Sequence, residues 1–152
     1  MRSTKCGFSD IPGGSTGSDS LVQWGPTLLV DIGFDPNFQI GSGTIPVPGL
    51  KDLNALVDTG ATESCIDSLL ASQLNLPIVD KRITAGAHGA KEVNMHLAQV
   101  HIPTLNFTIW GAFAGVDLLA GGQIHSVLIG RTFLQAFRMT YDGRTGTVEI
   151  TE

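Results

Sequence analysis

Short apolar runs separated by turn-rich stretches dominate the chain, and they predict β-strands. Three runs have strand length and end at or next to a glycine: 27–34 (TLLVDIGF), 53–60 (LNALVDTG) and 124–130 (IHSVLIG). Apolar and polar residues alternate in 105–113 (LNFTIWGAF), as in a strand with one buried face. The pattern therefore predicts a mostly β protein.

A glycine-rich hairpin is predicted over residues 81–103. Its tip, 85–90 (AGAHGA), consists mostly of small residues, and the arm after the tip alternates apolar and polar positions. The alternation changes phase near Ala98, and we expect a β-bulge to absorb that change. A second hairpin is predicted over 137–151, where DGRTG has the composition of the turn.

Two short helices interrupt the strand pattern. In 66–77 (IDSLLASQLNLP), leucines recur at helical spacing and a proline ends the segment, and 131–137 (RTFLQAF) has room for one or two turns. The turn-rich insertion 35–49 is predicted to hold a short edge strand around Ile45 and Val47. We expect about seven to nine strands and two short helices in a closed or sandwich-like arrangement.

Composition places these elements in one domain. The 152 residues are 42% hydrophobic and 15% charged, which is typical of a packed globular protein of single-domain size. Residues 1–20 are rich in Ser, Gly and Asp and predict a flexible N-terminal tail. Residues 21–152 are then the folded domain.

Charge and ligand spacing exclude several classes of function. The net charge is −5 and no basic patch is present, so we expect no nucleic-acid partner. No segment reaches the ~18 apolar residues of a membrane helix, and residues 1–20 lack the apolar stretch of a signal peptide. We therefore expect a cytoplasmic protein without a membrane partner. Two cysteines make no disulfide framework, and the histidines lack metal-ligand spacing, so we expect no metal or organic cofactor.

An aspartate at the end of an apolar strand is the main candidate for chemistry. Asp58, Thr59 and Gly60 directly follow the apolar residues 55–57 (ALV). A carboxylate in that position is costly unless the protein requires it there. A phosphate-binding loop of the actin and sugar-kinase type matches VDTGAT locally, but those folds need two larger domains that clasp a nucleotide. An aspartyl phosphotransferase loop needs a second Asp two residues after the first, or a Lys directly after it, and Gly60 and Thr59 occupy those positions here.

A second segment resembles the first and favours a third chemistry. Residues 55–61 (ALVDTGA) and 126–131 (SVLIGR) are both apolar strands that end in a glycine turn and precede a helical stretch. With the glycine-rich hairpin between them, this pair resembles the signature of the retroviral-type (retropepsin-like) aspartic protease family over residues 27–151. Single-domain bacterial and eukaryotic members look closer than viral ones, because a hairpin continues past the second motif. The resemblance implies a closed acid-protease barrel with a flap hairpin.

The resemblance implies an aspartic endopeptidase that is a homodimer. Family members hydrolyse a peptide bond with a water molecule activated by two carboxylates that share one proton. The Asp-Thr-Gly motif occurs once in this sequence, so Asp58 needs the Asp58 of a second chain. The implied substrate is an extended peptide or protein segment with apolar side chains. The implied pH optimum is acidic to mildly acidic.

The resemblance also implies roles for the neighbours of Asp58. Thr59 is similar to the residue whose hydroxyl bonds across the dimer axis, Gly60 permits the tight turn, and Ala61 keeps the floor of the cleft open. Gly130 is similar to the glycine that lets the second strand pack behind the catalytic loop.

The tip of the central hairpin is the implied flap, which closes over a bound peptide and excludes water. The residues assigned to the flap and to substrate binding are Ala85, Gly86, Ala87, His88 and Gly89. The tip histidine is expected to be a solvated loop residue.

One departure from the viral pattern concerns an arginine beside the site. Viral members place an Asp two residues after the motif glycine and pair it with the Arg after the second glycine. Thr62 stands in the place of that Asp. We expect Arg131 to make a buried structural ion pair, with Glu63 as the candidate replacement for the missing acid.

Two other functions remain open. The chain could be a dimeric peptide-binding module that keeps the fold without cleaving, because fold does not imply activity. It could also be a self-processing domain of a larger precursor, with its cleavage site in residues 1–20. An intact Asp-Thr-Gly favours cleavage over the binding module.

Overall fold

The computed structural model describes residues 1–86 and 89–152 and consists mostly of β-strands. The strands are β1 (Ser3–Lys5), β2 (Thr27–Gly33), β3 (Leu50–Val57), β4 (Cys65–Asp67), β5 (Ile78–Gly86), β6 (Gly89–Ile102), β7 (Phe107–Val116), β8 (Val127–Ile129), β9 (Arg138–Asp142) and β10 (Thr147–Thr151). The helices are α1 (Gly17–Trp24), α2 (Ser68–Gln73) and α3 (Arg131–Leu134), with a 3-10 turn at Pro103–Leu105.

Six of the strands form a closed barrel. Their order is β2-β3-β8-β4-β7-β6, and the ring closes because β6 also pairs with β2, from Asp31 opposite His101 to Gly33 opposite Gln99. Closure removes the free sheet edges that an open sheet would expose. β5 lies outside the ring and pairs with β6. The prediction of a mostly β, closed barrel is confirmed.

The barrel core comes from the alternation of side chains along the strands. On β2 and β3, every second residue points inward, and Val30, Ile32, Ala55 and Val57 are all buried. These side chains meet the inward residues of the remaining strands in one continuous apolar cluster. The core fixes the register of β3 and thereby the position of the residue that follows it, Asp58.

The central hairpin is present, but its register shift lies between Ile78 and Asp80 on β5, opposite His96 and Met95, and not at Ala98 as predicted. β6 pairs with β7 in unbroken register from Met95 opposite Ala114 to Ile102 opposite Phe107. The apolar positions along β6 change phase because both faces of the strand are buried in its second half, whereas its first half is mostly exposed. Ala98 faces the core, while the next residue, Gln99, is buried through hydrogen bonds to the backbone of Asp35.

The prediction of a flexible tail over residues 1–20 is wrong. β1 pairs with β10, which pairs with β9, in a separate three-stranded sheet. The Thr16 side chain caps α1 by accepting a hydrogen bond from Asp19 N, and Asp10 Oδ1 accepts one from Gly17 N. Buried Cys6 joins the barrel core, and burial raises the pKa of its thiol to about 12. Local caps and a few apolar anchors order this segment despite its polar composition.

A core substitution in helix α1 tests whether this segment contributes to stability. Leu21 is 2% exposed and belongs to the barrel core, whereas the next residue, Val22, is 82% exposed. We expect Leu21→Ala to lower the free energy of unfolding by about 2–4 kcal/mol, because it leaves a cavity in the core. Val22→Ala should change it by less than about 0.5 kcal/mol. Urea unfolding of both variants measures the difference, and equal small effects would mean that α1 does not support the barrel.

The insertion 35–49 forms a loop, and the predicted edge strand around Ile45 and Val47 is absent. Prolines at 46 and 48 remove two backbone donors that a strand would need. The loop is closed instead by Asp35, whose carboxylate accepts hydrogen bonds from Val47 N and Asn37 N.

The predicted helices in 66–77 and 131–137 are present as α2 and α3, each shorter than its predicted segment. α1 and the strands β1 and β4 were not predicted. The part of the chain that the structure describes contains no helix with the length and apolar composition needed to cross a membrane.

Candidate active site

Asp58 lies immediately after the last residue of β3, where the barrel meets a short loop. Its backbone N donates a hydrogen bond to Ile129 O at 2.9 Å, which extends the parallel pairing of β3 with β8 by one residue. Its carboxylate Oδ1 accepts a hydrogen bond from Gly60 N at 2.8 Å. The side chain is therefore held at the end of a rigid strand and is only half-buried.

The loop after Asp58 wraps around the end of β8. β3 pairs with β8 on one side and β4 pairs with it on the other, so residues 58–64 pass across the end of that strand. Gly130 follows β8 at the crossing. A Cβ atom on Gly130 would lie 2.6 Å from the carbonyl carbon and oxygen of Glu63 and 3.0 Å from Ala61 O. A glycine is required because two backbone segments touch here.

Arg131 holds the loop after Asp58 in place through three hydrogen bonds. Its backbone N donates to Ala61 O at 2.9 Å, and its guanidinium donates to Thr59 O at 2.7 Å and to Thr62 Oγ1 at 3.0 Å. The predicted buried ion pair of Arg131 is wrong: the side chain is exposed, and its partners in the described residues are neutral oxygens.

Glu63 does not replace the missing acid beside Arg131. Its carboxylate pairs with Arg82 on β5, with an N–O distance of 3.0 Å. The pair connects the loop at Asp58 to the first arm of the hairpin. Both side chains are about half-exposed, so the pair orients these segments more than it stabilises the fold.

The second arm of the hairpin has an ion pair of its own. Lys91 Nζ on β6 lies 3.0 Å from the carboxylate of Asp117, which also accepts a hydrogen bond from Ser68 Oγ. The hydroxyl and the ammonium together lower the pKa of Asp117. The hairpin is thus connected to the barrel by one ion pair on each arm.

The hairpin tip is described in part. Gly86 pairs with Gly89, and Gly89 has a φ of 100°, a conformation that favours glycine. Ala85 pairs with Ala90 just before the tip. Ala87 and His88, which the sequence assigned to the flap, lie outside the described residues.

Comparison with known proteins identifies the family of the chain. Residues 47–136, more than half of the chain, match the model of the family described as gag-polyprotein putative aspartyl protease. The chain belongs to this aspartyl protease family.

One solved structure illustrates the likeness, and the search of curated proteins found no match. The structure titled "EIAV protease complexed with the inhibitor HBY-793" is 20% identical, with a TM-score of 0.43. That alignment covers 73% of this chain and 86% of the EIAV chain.

The structure brings together most of the predicted site of this aspartyl protease. Asp58, Thr59, Gly60 and Ala61 form one loop, and Gly130 and Arg131 contact that loop directly. Thr59 and Gly60 are exposed in the single chain.

The partners Arg82, Lys91 and Asp117 were not predicted. Each lies far from its partner in the sequence, and an isolated charged residue on a strand is usually a solvated one.

A cysteine follows the loop that carries Asp58. Cys65 begins β4 and is partly buried. Burial raises the pKa of its thiol, and the carboxylates of Glu63 and Asp58 raise it further. A thiol in this position therefore stays protonated at neutral pH.

Proposed function

We propose that the chain is an aspartic endopeptidase whose active site forms when two copies associate. The observation that carries the proposal is the position of Asp58, at the end of a barrel strand in a loop fixed by Gly130 and Arg131. The Asp-Thr-Gly motif occurs once in the chain, so a pair of aspartates requires two chains. Exposed Thr59 and Gly60 are available for contact with the second copy.

The proposed reaction uses the two Asp58 carboxyl groups in different protonation states. The ionised one takes a proton from a water molecule as the water oxygen attacks the carbonyl carbon of the peptide. The protonated one donates a hydrogen bond to the carbonyl oxygen of that peptide. The leaving nitrogen then receives the proton that the first carboxylate took from water, as the C–N bond breaks. Each cycle consumes one water and restores one shared proton, and no cofactor takes part.

The proposed substrate is an extended peptide segment. Such a segment lies under the hairpin formed by β5 and β6 and adds backbone hydrogen bonds like those of a further strand. The two ion pairs, Arg82 with Glu63 and Lys91 with Asp117, would set the resting position of the hairpin arms above the cleft. Closure over the peptide would exclude bulk water from the carboxylates.

A concentration series tests the need for two chains. The purified protein is incubated with a denatured protein substrate at pH 4 to 7, and the products are identified by mass spectrometry. We expect cleavage between defined residues, with an activity per chain that rises with protein concentration until dimers predominate. A dimer in sizing experiments that cleaves nothing would favour the non-cleaving peptide-binding module. Shortening of the purified chain itself with time would favour the self-processing domain.

Two buried histidines are expected to lower the stability of the folded chain at the acidic pH of these cleavage assays. Burial lowers the pKa of His101, against the opposing charge of Asp31, and burial also lowers the pKa of His125. The unfolded chain then binds more protons than the folded one, so the stability held above a pH of about 6.5 is lost as pH falls toward the lowered values. We expect the free energy of unfolding in urea to decrease from pH 8 to pH 5, with a smaller decrease in His125→Asn. A flat profile over that range would contradict this origin.

A further inference from the structure

A cavity of about 380 Å³ lies between helix α2 and the hairpin formed by β5 and β6. Ser72 of α2 and Asn75, which follows that helix, line one side, and Glu92, Asn94 and His96 of β6 line the other. The volume lies within the range of pockets that hold small molecules. The cavity is therefore large enough to hold a small ligand.

The cavity lies outside the site at Asp58. Val93 and Met95 of β6 pack in a small cluster with Cys65, which follows the loop that carries Asp58. Residues 92, 94 and 96 alternate with these two, so their side chains point to the opposite face of the strand. A ligand bound between them and α2 is therefore separated from the Cys65 cluster by β6.

His96 presents a buried hydrogen-bond acceptor to the cavity. The residue is 5% exposed, and its Nδ1 lies 3.4 Å from Leu76 O. A carbonyl oxygen can only accept, so Nδ1 carries the proton and Nε2 of the neutral ring keeps its lone pair. Within the described part of the chain, the hydrogen bonds of His96 do not include Nε2.

Gly115 of β7 keeps this nitrogen accessible. A Cβ atom on Gly115 would lie 2.9 Å from His96 Nε2, and both residues line the cavity. Because any side chain at this position would cover Nε2, the glycine leaves the acceptor open to a ligand. A ligand that donates a hydrogen bond would satisfy it.

The charges around the cavity favour a cation. The charged residues in its lining are Lys91, Glu92 and Asp117, two acids and one base. Lys91 is paired with Asp117 at 3.0 Å, whereas none of the ion pairs among the described residues includes Glu92. The side-chain oxygens of Asn75 and Asn94 add acceptors. The lining thus offers several acceptors and one unbalanced negative charge.

An apolar wall lies between the two polar ends of the cavity, His96 and Glu92. Leu76 and Val93 are buried there, and Ala71 and Ile78 also line the cavity. Positions 92 and 96 lie about 13 Å apart, because the strand rises by about 3.3 Å for each residue. A short methylene chain with a nitrogen at each end matches this arrangement.

We propose that this cavity binds a short aliphatic diamine in its ammonium form. One ammonium group donates a hydrogen bond to His96 Nε2, and the other lies beside the Glu92 carboxylate and balances its charge. The methylene chain between them covers the apolar wall. The ligand connects α2 to the hairpin on the face away from Cys65. The proposal goes beyond the peptidase function, because the lining lies outside the loop that carries Asp58.

The test measures binding of putrescine, a diamine with four methylene groups. Titration calorimetry at pH 8 gives the affinity, and backbone amide NMR shifts at Asn94 and Gly115 locate the bound ligand. Glu92→Gln should weaken binding by about tenfold, because it removes a charged acceptor from an exposed position without changing its size. Gly115→Ala should weaken binding by a similar factor, because the added methyl group covers His96 Nε2.

The matched control is Asp80→Asn. Asp80 is an exposed acid on the same hairpin, but it is not among the residues that line the cavity. Its replacement removes the same charge and should leave the affinity unchanged. A second control is putrescine with both nitrogens fully methylated, which keeps the two charges but has no N–H donor. It should bind about tenfold more weakly than putrescine.

Several results would overturn the proposal. They are absence of putrescine binding at millimolar concentrations, equal affinity of the methylated compound, and equal affinity of the wild type and Glu92→Gln. Asp58→Asn should bind putrescine as the wild type does. Putrescine binding by a chain that cleaves no peptide would therefore support this site while the peptidase function fails, and the reverse result would reject this site alone.

Discussion

Asp58→Asn is expected to lower the rate of peptide cleavage by at least about a thousandfold, within the range lost when an acid–base group is removed. Asn has the size of Asp, and its side-chain oxygen still accepts the hydrogen bond from Gly60 N. It cannot ionise, so a pair of such residues can neither take a proton from water nor return it. Product masses from a denatured protein substrate, for wild type and variant at equal concentration, measure the loss.

The control for Asp58→Asn is the same substitution at Asp52, on the strand that precedes Asp58. Asp52 is exposed and has a φ of 59°, a backbone conformation that Asn also tolerates. Asp52→Asn should retain wild-type activity. Equal activity of Asp58→Asn and the wild type would show that another residue performs the chemistry, even if the fold is intact.

Gly130→Ala is expected to lower the free energy of unfolding by about 3 kcal/mol. The added methyl group would lie 2.6 Å from the carbonyl carbon and oxygen of Glu63, and backbone atoms cannot move aside as a flexible side chain would. The loop would shift away from β8, and Asp58 would shift with it. Cleavage should therefore fall sharply even at temperatures where the variant is folded. Urea unfolding and the cleavage assay measure the two effects separately.

Gly111→Ala on β7 is the matched control, because a Cβ atom there meets nothing within 4 Å. It should change stability by less than about 1 kcal/mol in either direction. Similar unfolding curves for Gly130→Ala and the wild type would mean that the backbone of Glu63 lies farther from Gly130 than the structure shows.

The site loop could be predicted from the sequence because its determinants are short. An apolar run that ends in Asp-Thr-Gly, a second run that ends in a glycine, and a glycine-rich hairpin between them each occupy a few consecutive residues. Alternation in 105–113 indicated a strand with one buried face, and Phe113 of β7 is buried in the core. Barrel closure through β6 and β2 was within the predicted class, but nothing in the sequence specified that pairing.

The N-terminal segment could not be predicted because its order depends on distant contacts. Two apolar residues, Cys6 and Leu21, dock into a core built by other strands, and β1 pairs with the last strand of the chain. A window of residues 1–20 shows only a polar, glycine-rich composition.

The partners of the charged residues were also beyond the sequence. Arg131 was expected to bond an acid, and it donates instead to Thr59 O and Thr62 Oγ1. Glu63 is adjacent to Thr62 in sequence, but successive residues point to different sides, and its carboxylate lies against Arg82. The partner of a long, exposed side chain depends on which other elements of the fold lie within its reach, and a short sequence motif does not specify this.

A mixing experiment tests most directly whether each active site uses Asp58 from two chains. Wild-type protein is held at a fixed concentration at which dimers predominate, and a threefold excess of Asp58→Asn is added under conditions that allow exchange. Substrate is kept in excess of total protein, and an unrelated protein of similar size serves as the control. Random pairing leaves about a quarter of the wild-type chains paired with each other, so activity should fall to about a quarter. Unchanged activity after verified exchange would show that a single Asp58 suffices, and it would contradict the shared active site.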